Sequence, residues 1–566
     1  MSDAWAVALA GCAALGAWAS HPAPVWPAAV VAAVALAARR PALLCAGVLV
    51  LASGLGARSW AGLDPPPTGT QMAGRATLVT DPVERWGAVR VELRIGGRRV
   101  EAWAHGSPAR TLRGLLAGDT VPVAGRLAPL RGPARSYLAR RHVAARLSVT
   151  QAGRPGPGNP LAGLANDVRR TLLHGVASLP PERRALFAGF VLGDDRDQDP
   201  VSVDDFRAAG LSHLLAVSGE NVAFVLALAG PALRLLGLRG RLLAGLAVLV
   251  FFGVLTRWEP SVLRASAMAA VTMLAAAVGR PASTLRVLAL AVAGLLLVDP
   301  LLVGSVGFQL SCAACAGIAV LAGPLSRRLP LPLAVTLAAQ AGVAPVLVGA
   351  FGGVPVASVP ANLLAAPAAG PVMVWGLAAG LPAGLLGGRL AALVHVPTGL
   401  LVGWIALVAR WAAGLPLGQL GPRHLAVLAA AGGVAAVPPL RRPAVVAAVA
   451  VCLLPSVVPV GAVDGRPLDG GGRLWRRGSA TVLVVDRPRA GPLLEALRGA
   501  RVRGLSVLAV TGPGDVALIL RRHPARVVLA AGEAADGTTV TAGGLRVSVT
   551  ATEPRLVVAV SRAPPG

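Results

Sequence analysis

The chain reads as a mainly α-helical, polytopic membrane protein of about thirteen transmembrane helices, with a small external β-domain and a C-terminal α/β unit. Three observations predict that class. Of 566 residues, 55% are hydrophobic and only 14% are charged, where soluble domains carry about 25% charge. The hydrophobicity comes in long Ala/Leu/Val/Gly blocks, as membrane spans require. Two stretches, 65–155 and 465–566, depart from it with charge and turn residues.

Taken in order, apolar runs near 5–20, 25–38 and 41–58 are three N-terminal spans within residues 1–60, with Arg39-Arg40 between the last two. The segment 65–155 contains "AVRVELRIGG", in which Val89, Val91, Leu93 and Ile95 alternate with charged residues. That period of two predicts a half-buried strand, continued by Val100, Ala102 and Ala104 after a glycine turn, and so a small barrel or sandwich. Residues 160–205 have helical spacing with an arginine-bearing polar face, suited to an interfacial or linker helix. From 206 to 461 the chain is almost continuously apolar, enough for about ten spans, the last two near 424–438 and 443–461. After 465, "ATVLVVD", "LSVLAVT", "ARVVLA" and "RLVVAV" are short buried strands, with "RAGPLLEALRGA" a helix between the first two.

Basic residues set the orientation. Arg39-Arg40, Arg239, Arg280, Arg327-Arg328, Arg389 and Arg441-Arg442 fall in alternate loops. Placing those loops in the cytoplasm puts both soluble parts on the outer face. The net charge of +27 rests on arginine alone, since no lysine occurs. A Walker A loop needs its lysine, so a P-loop ATPase is excluded. All five cysteines lie in apolar runs, and Cys312-x-x-Cys315 reads as close helix packing rather than redox or zinc chemistry.

Between Phe206 and Val463 the acids are Glu220, Glu259 and Asp299. A mid-membrane charge costs roughly 2.5–3.5 kcal/mol on insertion scales and faces a bundle interior or an aqueous cavity. "GLSHLLAVSGENVAFVLALAG" (210–230) holds His213, Ser218, Gly219, Glu220 and Asn221 within one apolar run. His213 and Glu220 are seven apart and share a face if the helix is continuous. If Gly219 breaks it, the freed backbone groups must line protein or water, and either way the pattern is that of a substrate path. Glu259, Ser261, Arg264, Gln309, Ser311 and Asn362 are the other polar groups set to line or gate it. His213, Ser218 and Glu220 form no serine hydrolase, because no G-x-S-x-G elbow surrounds the serine.

"GLSHLLAVSG" after "LGDDRD" resembles the competence module of ComEC-type DNA-uptake channels. The likeness continues through "PSVLRASAM" (260–268), "DPLLVGSVGFQLSCAACAGI" (299–318) and "VPVASVPANLLAAPAAGPV" (354–372). It implies an OB-like fold for the external β-domain, a metallo-β-lactamase-like C-terminal domain, and a multi-pass protein of the bacterial cytoplasmic membrane. Two departures stand out. Many members place Leu-His after the Ser-Gly where this chain has Glu220-Asn221. The metal-binding "TH-x-H-x-D-H" run is represented only by "LAVTGPGDVALILRRHPARVVLA", with glycine and proline in place of histidines. His523 alone cannot hold two metals, so the domain is expected to be a metal-free remnant, without cofactor or enzymatic activity.

The resemblance implies a channel for single-stranded DNA in natural transformation, served by an external DNA receptor and a cytosolic helicase-like motor, with a homo-oligomer as an open option. Fifteen arginines against five acids in 65–160 suit contact with phosphates. Arg90, Arg94, Arg98, Arg99, Arg140 and Arg141 are the candidates on the β-domain. A transporter or flippase for a smaller anionic solute would use the same buried groups.

Overall fold

In a computed structural model the described residues are 2–434, 448, 450–452, 462–551 and 556–563, apart from 65, 86, 281, 416, 503, 515 and 531–533. The chain forms two compact units. One comprises residues 1–197, 213–352 and 363–405, and the other 198–212, 353–362 and 406–566.

Eight helices among the described residues are long and apolar enough to cross a membrane: Pro41–Ala61, Ser212–Arg234, Leu238–Leu255, Pro260–Ala277, Val306–Ser326, Leu331–Phe351, Ser358–Ala378 and Val396–Gly414. Asp3–Ala19, Val25–Ala37 and Thr284–Val298 are apolar but shorter. The run expected near 424–438 contributes the helix Pro422–Val434, and most of the run expected at 443–461 lies outside the described residues.

Small residues let these helices touch backbone to backbone, the means of association left when lipid is as apolar as leucine. Gly317 faces Gly342, and a Cβ on either would collide with the carbonyl oxygen of Ala338 or Ala313 across the pair. Gly342→Leu is therefore expected to force the two helices apart and cost about 1–3 kcal/mol. The thermal midpoint of detergent-solubilised protein checks this, and an unchanged midpoint would contradict the close packing.

The β-rich segment is a closed barrel. Its strands are β1 (Gln71–Leu78), β2 (Val83–Arg85), β3 (Ala88–Ile95), β4 (Arg98–Ala104), β5 (Thr120–Pro129) and β6 (Val143–Ala152). The sheet runs β1-β5-β6-β4-β3-β2, and β1 also pairs with β3 through Thr77↔Arg94 and Leu78↔Leu93, which closes five strands into a ring. The pair β4–β6 is parallel; β1–β5, β5–β6, β3–β4 and β1–β3 are antiparallel. The alternating residues expected inside do fill the interior, with Val91, Leu93 and Ala102 at most 1% exposed. Ala109 and Leu112 of the helix Gly106–Arg113 pack into the same core.

Residues 160–205 fold as the helices Pro160–Gly175, Pro181–Leu192 and Pro200–Ala208. The arginine-bearing face of the first is divided. Arg170 is exposed and pairs with Asp167, whereas Arg169 is 1% exposed. Ala185–Leu192 are all buried, so the second helix is a core element.

In the second unit, strands Ala480–Val485, Leu505–Val510 and Ala525–Ala530 are parallel neighbours, extended by antiparallel Gly472–Arg477 and Val463–Leu468. Leu493, Leu497 and Ile519 of the helices Ala490–Gly499 and Ala517–Arg522 cover one face. The strand expected at "RLVVAV", Val557–Arg562, belongs to a separate three-stranded antiparallel sheet with Thr539–Ala542 and Leu545–Ala551, which packs on the other face. Helix Pro200–Ala208 docks here by charge. Asp204 accepts from Arg498 and Arg522, Asp205 pairs with Arg522 at 3.2 Å, and Arg207 pairs with Glu495.

Candidate functional site

The apolar stretch 210–230 is interrupted where its polar residues fall. Ser212–Leu214 make one 3₁₀ turn, and the helix proper starts at Gly219 and runs to Arg234. Ser218 is the N-cap in extended backbone, but its hydroxyl donates to Asn221 Oδ1 at 3.1 Å and makes no bond to the helix backbone. The Asn221 N–H is taken by the Ser218 carbonyl. The N–H groups of Gly219 and Glu220 belong to the uncapped donors of a helix start.

Three neighbouring elements hold this break. Ser261 Oγ donates to the Val217 carbonyl at 2.6 Å, and Asn221 Nδ2, on a residue 3% exposed, donates to the Phe190 carbonyl at 3.1 Å. Arg264 lies directly on Gly219, where a Cβ would collide with Nη2. On the other side Ser218, Glu220, Asn221, Phe190, Phe224 and Met373 help line a small, partly open recess of about 20 Å3.

Arg264 is 7% exposed within the span Pro260–Ala277. Its Nε donates to Ser311 Oγ at 2.7 Å, and its Nη1 reaches Cys315 Sγ at 2.9 Å and Met268 Sδ at 3.1 Å. Ser311 and Cys315 are four apart on one helix, so they share a face. Cys315 thus serves as an arginine neighbour. Among the described residues no carboxylate lies within ion-pair distance of Arg264, an uncommon state for a charge in such surroundings.

The structure therefore brings together Ser218, Gly219, Glu220, Asn221, Ser261, Arg264 and Ser311. It places the other candidates elsewhere. His213 is exposed on the 3₁₀ turn. Gln309 donates to the Val303 carbonyl at 2.7 Å, and Asn362 back-bonds to Ser358 on its own helix. Glu259 precedes the Arg264 helix; burial pushes its carboxyl above the usual range, Arg141 offsets this in part, and Asp195 adds to it.

A second polar centre joins residues far apart in sequence. Arg169 donates through Nη1 to the carbonyls of Leu192 (2.9 Å) and Leu255 (2.8 Å), and through Nη2 to Asp81 (3.2 Å) and Asp194 (3.0 Å). Arg257 grips both oxygens of Asp81 and also Asn166 Oδ1, while Arg196 forms a two-point contact with Asp194. Burial works against the two carboxylates, but their arginines hold both below the usual range. Arg257 and Trp258 both have positive φ, 59° and 56°, a strained corner for non-glycine residues. The network ties the barrel loop after β1 to the corner ahead of Glu259. In "LGDDRD", Asp194 is an arginine acceptor that shares Arg169 with Asp81. Only that motif hinted at this centre.

On the barrel, most of the candidate arginines are engaged. Arg90 and Arg146 pair with Glu101, and Arg99 and Arg141 with Glu92; these glutamates are 3% and 7% exposed. Arg140 donates to the Gly304 carbonyl at 2.8 Å, and His142 Nε2 meets Asp299 at 3.0 Å. Arg94 and Arg98, flanking the Gly96-Gly97 turn, make no ion pair among the described residues. In the C-terminal unit Thr511 Oγ1 bonds the Val485 carbonyl. No three His, Cys, Asp or Glu side chains gather as a metal centre among the described residues; Asp515 lies outside them.

Long apolar helices, one broken around polar groups against a buried arginine, define a polytopic membrane protein with a polar centre in its helical part. Residues 190–442, a little under half of the chain, match the model of the competence protein family. ComE operon protein 3 of Bacillus subtilis (strain 168) is 28% identical over 239 residues, 41% of this chain and 30% of that protein. The match thus spans less than a third of the curated relative's length. No solved structure matches the chain.

Proposed function

We propose that the protein is a channel of the bacterial cytoplasmic membrane that passes single-stranded DNA inward during natural transformation. One observation carries the reading: Arg264 is buried in a membrane-spanning helix without a carboxylate partner among the described residues, against the start of the broken helix at Gly219. A fixed cation in low dielectric lowers the barrier to a polyanion. The competence family match over 190–442 supports the same reading.

In this scheme about thirteen crossings place the barrel and the C-terminal unit outside. The barrel is OB-like. Its ring order β1-β3-β4-β6-β5, with a helix between β4 and β5 and a parallel β4–β6 pair, supports this. The C-terminal unit is a metallo-β-lactamase-like remnant without nuclease activity. An external receptor delivers DNA and a cytosolic motor draws it in. Glu220 and Asn221, with Arg264 and Ser311, line or gate the path.

Deleting the gene in a transformable host should abolish uptake of a marked chromosomal fragment. Glu220→Ala and Arg264→Ala should do so while the protein still reaches the membrane, and normal uptake in both would remove the assignment. DNA cleavage by purified protein with added zinc or manganese would overturn the remnant reading. A transporter of a smaller anion is favoured by one observation, the modest size of the recess beside Glu220. Intact DNA uptake in the deletion strain, with altered efflux or influx of a small organic phosphate, would select it.

A further inference from the structure

Arg264 is oriented by groups that leave its charge unbalanced. Ser311 Oγ, Cys315 Sγ and Met268 Sδ engage Nε and Nη1, and all three are neutral oxygen or sulfur atoms. Nη2 has no hydrogen-bond partner among the described residues and lies against Gly219. The side chain is more than nine-tenths buried. Its free end therefore meets the first turn of a sixteen-residue helix whose N-cap serine hydroxyl makes no bond to the backbone of that turn.

This arrangement opposes like charges. The N-terminus of a helix carries roughly half a positive charge, and the guanidinium adds a full one. Two positive ends in low dielectric repel unless an anion lies between them. Gly219 is the residue type that allows the approach, since any side chain would begin where Nη2 sits. Ser261, bonded to the Val217 carbonyl, fixes the chain just before the turn.

We propose that Arg264 Nη2 and the N–H groups of Gly219 and Glu220 form an oxyanion site that holds one phosphodiester of the translocating strand. Tetrahedral oxyanions suit it, because helix N-termini and guanidinium groups both donate to phosphate oxygens. Glu220 stands one residue into the same turn and is exposed. Its carboxylate opposes tight holding, which suits transit, since conduction needs binding weak enough for release. The inference rests on the channel reading and adds to it the atom that meets the phosphate.

The test uses the full chain in lipid nanodiscs and a labelled short oligothymidylate, followed by anisotropy across a salt series. A methylphosphonate oligomer of the same length supplies the bases without backbone charge. The native chain should bind the phosphodiester strand at least ~10-fold more tightly than the neutral one. Arg264→Gln should reduce affinity ~10-fold and lower the slope of log K against log salt by about 0.7, the contribution of one phosphate on a single strand. Arg264→Lys should keep the slope. Gly219→Ala, which displaces Nη2 without removing charge, should weaken binding in the same direction.

A purely structural arginine would leave the salt slope unchanged in every folded variant, and that result overturns the proposal. If Arg264→Gln does not fold, an unchanged affinity in Gly219→Ala overturns it equally. Loss of DNA uptake with unaltered binding would sink the phosphate site and leave the channel standing. Unaltered uptake in the variants would sink the channel reading itself.

Discussion

Replacing Arg169 with alanine is expected to destabilise the helical unit by about 3–5 kcal/mol, the cost of breaking a buried ion pair from one side. Arg169 is 1% exposed and serves Asp81, Asp194 and two main-chain carbonyls at once. Its loss leaves both carboxylates with one arginine fewer and two buried carbonyls without their donor. Chemical denaturation of the detergent-solubilised variant reads the effect. Because both aspartates titrate below the usual range, their stabilisation is complete above the unfolded value near 4 and is lost as pH falls through the folded value. The gap between native and variant should thus be level from pH 5 to 8 and close in stronger acid. A difference under about 1 kcal/mol at pH 7 would mean that water reaches the cluster.

The second large effect concerns Asp205 and has the opposite sign. Burial raises its carboxyl, with Asp204 and Asp199 adding to the rise; Arg522 and Arg410 only partly offset it, and the group titrates at about 6. A carboxylate raised in the folded state stabilises below the unfolded value near 4, and that stabilisation is lost as pH rises through the folded value. Docking of Pro200–Ala208 onto the C-terminal helices should therefore weaken between about pH 4 and pH 6. Asp205→Asn is expected to flatten that dependence and to stabilise the second unit by about 1–3 kcal/mol at pH 7.5, since each tenfold change in proton affinity is worth ~1.4 kcal/mol. Limited proteolysis across 464–566 at pH 4.5 and 7.5 compares the two. Faster cleavage of the variant at pH 7.5 would show the ion pair to Arg522 outweighing the burial cost.

Local pattern carried the readings that succeeded. The alternation of Val89, Val91, Leu93 and Ile95 was enough to find β3, because period two is written along the strand. Gly219, amid apolar residues, left a continuous helix and a broken one both open, and the structure starts the helix there. The pairing of Arg264 with Ser311 and Gly219 was legible only as a set of polar residues in apolar runs, since which helices face each other is a tertiary fact. Asp81, Arg169 and Arg257 left no trace that spacing reveals: they meet across 176 positions, and each alone resembles a solvated surface charge. The same blindness overstated the barrel's free positive charge, because Glu92 and Glu101 neutralise arginines on neighbouring strands and loops, and which strands are neighbours is not written along any one of them.

Asp81 makes the barrel inseparable from the helices around Arg257. A truncation removing residues 65–155 would not yield a smaller membrane core. It would take Asp81 from both arginines, leaving Arg257 without a carboxylate at the left-handed corner that leads into the Arg264 helix and Arg169 with Asp194 alone.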